Sequence, residues 1–150
     1  MIRADGVFDL MGLDEQPIKQ AASAPFYLLF GGCVDQDQAA RLVTQMTAPR
    51  FWTPFPISAT PGDDPLFSPN HYWRGNVWMS VNWLIYRGLR RYGFFAEASQ
   101  LAGRSLSLVE TYGFHEYFNP LTGEGYGPNL QSWTTLVLDM LATERGQDVG

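Results

Sequence analysis

The chain has 150 residues, a net charge of −5, 17% charged and 15% aromatic side chains, and a single cysteine. That length suits one domain; the acidic balance excludes a nucleic-acid surface, the apolar content excludes disorder, and a lone cysteine excludes a disulfide scaffold. No apolar run approaches the roughly 18 residues of a membrane span, nothing at the start reads as a signal peptide, and a charge fraction below the usual ~25% suggests surface that more protein covers.

Residues 1–25 lack a clear period; Gly6, Gly12, Pro17 and Pro25 punctuate turns and a short hairpin. The apolar run from Phe26 to Phe30, stopped by Gly31 and Gly32, is either a buried helical turn or a strand, which periodicity does not separate at this length. Asp35 reads as the N-cap of a helix over 36–48, with Ala39, Leu42, Val43 and Met46 on one stripe and Pro49 ending it. Residues 49–75 carry six prolines, and a connection of that length is usually functional. Its aromatics Phe51, Trp52, Phe55 and Phe67 need an apolar place to go, so it is not a flexible linker.

The clearest helix spans 76–92, with Val77, Val81, Leu84, Ile85, Gly88 and Leu89 in register. Arg87, Arg90 and Arg91 suit its C-terminal dipole, and Gly93 terminates it. A second helix over 94–112 follows at once, stopped by Gly113, so the two form an antiparallel hairpin. After a Gly-rich loop over 113–129, a last helix covers 130–143. No strand pattern competes. The chain reads as mostly α, in helix pairs joined by long aromatic loops.

Two loop-to-helix segments mix ring planes with a few hydrogen-bonding groups: residues 71–78, which read His-Tyr-Trp-Arg-Gly-Asn-Val-Trp, and residues 114–127, which begin Phe-His-Glu-Tyr-Phe-Asn-Pro. Sugars need that mixture, because their C–H faces stack on rings while their hydroxyls need directional partners. Composition by itself equally fits aromatics that fill core between helices. Order and spacing add to it. Residues 72–78, then Asn82-Trp83-Leu84 and Gly88-Leu89, then Glu116 through Gly125 and Ser132-Trp133-Thr134, resemble the C-terminal region of glycoside hydrolase family 63. Within that family the pattern is most similar to the mannosylglycerate/glucosylglycerate hydrolase type, from about Phe26 to Leu141, including the approach at 51–65.

The resemblance implies an all-α fold, the C-terminal portion of an (α/α)6 toroid, with residues 1–150 forming part of one catalytic domain and the N-terminal hairpins of the same barrel as its partner. It implies inversion by two carboxyl groups about 6.5–9.5 Å apart, acting on a small α-linked glucoside or mannoside. Glu116 matches the base, which deprotonates the attacking water. Tyr72, Trp73, Trp78 and Tyr117 match positions that line the sugar pocket. Arg74 either orients a substrate or neighbouring group or forms a structural ion pair under the loop. Glu124 is read as a carboxylate that shapes the loop. The resemblance also implies that the acid is an Asp upstream of the matched region, expected before Met1, while Asp63-Asp64-Pro65 reads as turn chemistry. No metal is expected, because His71 and His115 form no ligand motif, and no cofactor, nucleic acid or membrane partner is implied. Cys33 is read as a small buried residue. The glycines at 123, 125 and 127 are not spaced as a phosphate loop. A non-catalytic carbohydrate-binding or structural helical unit is the alternative.

Overall fold

The computed structural model describes residues 21–146, together with residues 10, 11, 13 and 16–18. The early turn glycines Gly6 and Gly12 lie outside the described residues. The short hairpin expected there is present as β1 (Leu10–Met11) paired antiparallel with β2 (Pro17–Ile18). The run at 26–30 resolves as helix: a 3-10 turn at Ala24–Phe26 leads into α1 (Tyr27–Gly31), and left-handed Gly32 closes it. Cys33 follows on the solvent side of this turn and is exposed, contrary to the buried position expected for it. A left-handed cap directs the chain off the end of α1, so its neighbour leaves the packed face.

Helix α2 (Gln36–Met46) begins at the expected cap. Asp35 Oδ1 accepts from the Gln38 amide at 2.8 Å, and Gln38 Oε1 accepts from the Asp35 amide at 2.9 Å, a reciprocal capping box. Ala39, Leu42, Val43 and Met46 are its buried stripe. Helices α3 (Met79–Arg91) and α4 (Phe95–Tyr112) form the expected hairpin, and α5 (Leu136–Glu144) follows a 3-10 turn at Ser132–Thr135. α3 lies centrally, packed against α1, α4 and α5. Where α1 crosses it, a Cβ on Gly88 would stand 2.6 Å from Leu29 Cβ and 2.7 Å from the Phe30 amide nitrogen, so only glycine lets the two backbones come this close.

The proline-rich connection is held from beneath. Buried Asn82 on α3 accepts from the Ile57 amide at 3.0 Å and donates to the Pro56 carbonyl at 2.8 Å and to Ser105 Oγ on α4 at 2.9 Å. One amide side chain thus joins the loop to both helices of the hairpin. Phe51 reaches the core edge-on to Phe26, with centroids 5.0 Å apart. The loop is ordered by the apolar anchors its composition demanded.

The expectation that no strand competes is corrected at 113–129. There β3 (Tyr117–Phe118) pairs antiparallel with β4 (Gly125–Tyr126), in the register Tyr117↔Tyr126 and Phe118↔Gly125. Two-residue strands are too short to show a period. The same hairpin moves the start of α3. The Val77 amide donates to the Phe118 carbonyl at 2.8 Å and the Phe118 amide to the Val77 carbonyl at 2.9 Å. Val77 is thereby drawn into an antiparallel bridge, Trp78 stays extended, and the helix starts at Met79 rather than at 76.

Candidate active site

The Val77–Phe118 bridge brings the two aromatic segments side by side at the N-terminal end of α3. From the first segment, Trp73 and Trp78 stack with centroids 4.0 Å apart and planes 10° from parallel. Tyr117 of β3 stacks on Trp78 from the other side at 5.0 Å. Tyr72 stands edge-on to this sandwich, 4.9 Å from Trp78 and 5.3 Å from Tyr117. Trp73 is 50% exposed and Tyr72 49%, whereas Trp78 is 2% exposed with a ring on each face. Trp78 is therefore the backing plane, and Trp73 and Tyr72 carry the open surface.

Glu116 lies at the edge of this cluster. Its amide donates to the Tyr126 carbonyl at 3.1 Å, its carbonyl accepts from Trp133 Nε1 at 3.0 Å, and its Oε1 accepts from the Tyr72 hydroxyl at 3.4 Å. The backbone is fixed by the hairpin and by the 3-10 turn before α5, and these hold the carboxylate beside Tyr72. Desolvation, then the charge of Glu116 and its hydrogen bond, push the Tyr72 phenol above its ordinary value, which keeps it a donor. Tyr72 holds a left-handed backbone at φ 36°, unusual for a bulky residue and of a kind that gathers at functional sites.

The alternating glycines now have a reason. A Cβ at Gly127 would meet Glu116 Oε2 at 2.5 Å, and one at Gly125 would meet the His115 ring. Each glycine makes room for a side chain of the facing strand. His115 and Glu116, neighbours in sequence, diverge: the His115 ring packs over Gly125 and edge-on to Phe118, while the carboxylate reaches Gly127 and Tyr72.

The remaining candidates separate from this cluster. Arg74 closes the 68–74 turn through its backbone, with the Ser68 amide donating to its carbonyl at 2.6 Å. Its guanidinium is exposed and forms no ion pair among the described residues. Glu124 accepts from the Tyr126 hydroxyl at 2.9 Å, within its own hairpin. Asp64 accepts from the Leu66 amide at 2.8 Å, the turn chemistry expected of it, whereas Asp63 is in an ion pair with Arg50 at 2.9 Å. Asp63 lines a separate cleft of about 550 Å³ together with Arg50, Trp52, Phe67 and Leu121, and Glu116 does not line it. Among the described residues no three His, Cys, Asp or Glu side chains gather as metal ligands, and no helix is long and apolar enough to cross a membrane.

Residues 3–134 match a family model, the mannosylglycerate hydrolase MGH1-like glycoside hydrolase domain. The chain belongs to this family. Mannosylglycerate hydrolase of Thermus thermophilus is 39% identical over 119 residues, covering 79% of this chain and 29% of that protein. Glucosylglycerate hydrolase of Mycolicibacterium hassiacum is 32% identical over 145 residues, covering 93% of this chain and 32% of that protein. The crystal structure of the Thermus thermophilus family 63 enzyme in complex with Tris and D-glycerate superposes with a TM-score of 0.84 at 37% identity, over 94% of this chain and 34% of that one. Neutral trehalase of Saccharomyces cerevisiae, at 18% identity and a TM-score of 0.70, shares the fold. The all-α architecture is thus that of the (α/α)6 glycosidases, and this member of the MGH1-like family spans about a third of the length of the relatives it matches.

The structure brings Glu116 and the four aromatics of the sequence reading together, on supports that the reading did not single out. Gly127, Trp133, Asn119 and Tyr126 act through contacts that spacing along the chain does not reveal. Only the repeated Gly-x-Gly of 123–127 hinted that something packs closely there.

Proposed function

We propose that this chain is the base-bearing part of an inverting glycoside hydrolase acting on a small α-linked glucoside or mannoside of the glucosylglycerate or mannosylglycerate kind. The observation that carries the reading is the Glu116 carboxylate, held by the Tyr72 hydroxyl at the edge of the Trp73–Trp78–Tyr117 stack. Glu116 takes a proton from water as that water attacks the anomeric carbon, and an acid on the opposite sugar face protonates the departing glycerate oxygen. The water needs a gap of about 6.5–9.5 Å between the two carboxyl groups. Asp63 and Asp64 are committed to an ion pair and a turn, so the acid comes from another segment of the toroid, which also covers the α1–α3–α5 side. Phe30 there is 41% exposed and lies 5.7 Å from the ring of Trp83.

The test compares Glu116→Gln with Glu124→Gln in the complete enzyme. Glutamine keeps the reach of Glu116 and cannot accept the proton, so kcat falls about 10²–10⁴-fold while KM changes little. Glu124→Gln costs much less. A larger loss from Glu124→Gln would transfer the role of base to Glu124.

A further inference from the structure

The turn that bears Tyr72 and Trp73 and the hairpin that bears Glu116 are separate pieces of chain, and beside the Val77–Phe118 bridge and the Asn76 side chain, which bonds to Pro69 and Phe118, a second polar cluster joins them. Asn119 is 5% exposed, and its Oδ1 accepts from the amides of Leu121 at 2.9 Å and Thr122 at 3.2 Å, which fixes the orientation of its amide group. Its Nδ2 donates to Asn70 Oδ1 and to the Tyr126 hydroxyl oxygen, each at 3.2 Å. The Tyr126 hydroxyl in turn lies 3.1 Å from Asn70 Oδ1 and 2.9 Å from Glu124 Oε2. Asn70 stands two residues before Tyr72, whose left-handed backbone persists only where its surroundings hold it.

We propose that Asn119 and Tyr126 are positioning residues, which lock the Tyr72–Trp73 turn onto the hairpin through Asn70 and so fix the aromatic stack relative to Glu116. The catalytic consequence rests on the reading of Glu116 as the base; the mechanical one does not. Neither residue touches the reacting atoms. Their effect passes through Asn70 to Tyr72, and from Tyr72 to the carboxylate. Misplacement of this order is expensive in an active site, because a shift of about 1 Å can cost roughly 10²-fold in rate.

Tyr126→Phe in the complete enzyme removes the hydroxyl and keeps the ring 5.7 Å from Tyr117. We expect kcat/KM to fall between about ten- and a hundredfold, with kcat carrying most of the loss. The tryptophan fluorescence difference between wild type and Trp73→Phe reports the Trp73–Trp78 stack, and Tyr126→Phe moves the spectrum toward Trp73→Phe. Asn70→Ala, an exposed position that tests the same lock should Tyr126→Phe fold poorly, gives the same two changes. The double variant is no worse than Asn70→Ala alone, since that change already removes both the Asn119 and the Tyr126 contacts to the turn. Wild-type kcat/KM with an unmoved tryptophan signal in both single variants would overturn the lock, as would losses that simply add. Normal turnover in Glu116→Gln sinks the base assignment alone, because the fluorescence still reads whether the turn is held.

Discussion

Trp73 offers its ring to solvent while Trp78 beneath it is shielded on both faces. In the proposed function, a sugar C–H face gains stacking area from Trp73 without the rest of the platform moving. Replacing Trp73 with alanine removes ground-state and transition-state contact alike, so KM rises by about tenfold while kcat changes little. Steady-state kinetics on the complete enzyme checks this, and a loss confined to kcat would show that the indole acts on the chemical step instead. At this scale the residue types were readable from the sequence, because carboxylates and rings announce their chemistry. Their neighbours were not. Gly127 looks like loop filler until its missing Cβ is seen to leave room for Glu116 Oε2.

Three helices meet at Glu144, whose Oε1 accepts from the Tyr86 hydroxyl and from Arg90 Nη1, each at 2.8 Å, while Ser99 Oγ donates to Oε2. Burial alone would raise the carboxyl, but the two hydroxyls and the guanidinium outweigh it and hold it below the usual range. Burial and the carboxylate push the Tyr86 phenol up to about 12. The signs differ. The contribution of Glu144 is present above its unfolded value near 4.5 and fades as pH falls through the lower folded value, whereas that of Tyr86 is present below pH 10.0 and fades as pH rises toward 12. The stability gap between wild type and Glu144→Gln, read from denaturant midpoints, is thus level near neutrality and closes in acid. A gap that widens in acid would refute the cluster's role. Helix existence was legible in Asp35, Gly93, Gly113 and the apolar stripes, since caps and period are local signals. The late start of α3 was not, because Val77 answers to Phe118 across an entire helical hairpin.

The chain spans about a third of the length of its relatives, and several large apolar side chains, among them Phe30, Phe95, Leu130 and Leu138, stand exposed. Prepared alone, the 150 residues should self-associate in light scattering and turn over neither glucosylglycerate nor mannosylglycerate, because exposed apolar surface drives association and one carboxylate cannot supply both acid and base. A monodisperse monomer with a sharp cooperative melt, or measurable turnover, would contradict this. The Val77–Phe118 bridge carries a further consequence. It joins the two walls of the candidate site by one pair of backbone hydrogen bonds, to which the side-chain links through Asn70, Asn119 and Tyr126 and from Tyr72 to Glu116 add, beside helices that each carry many backbone bonds. Local opening draws on the segments with the fewest such bonds, so the walls can part as a unit of their own while the scaffold stays closed. Hydrogen exchange on the intact enzyme should release the amides of Val77 and Phe118 well before those of Ile85 and Leu101; equal protection would mean that site and scaffold open only together. If the walls part first, access to the candidate site is set by a local equilibrium that sequence changes around Val77 can tune without touching the fold.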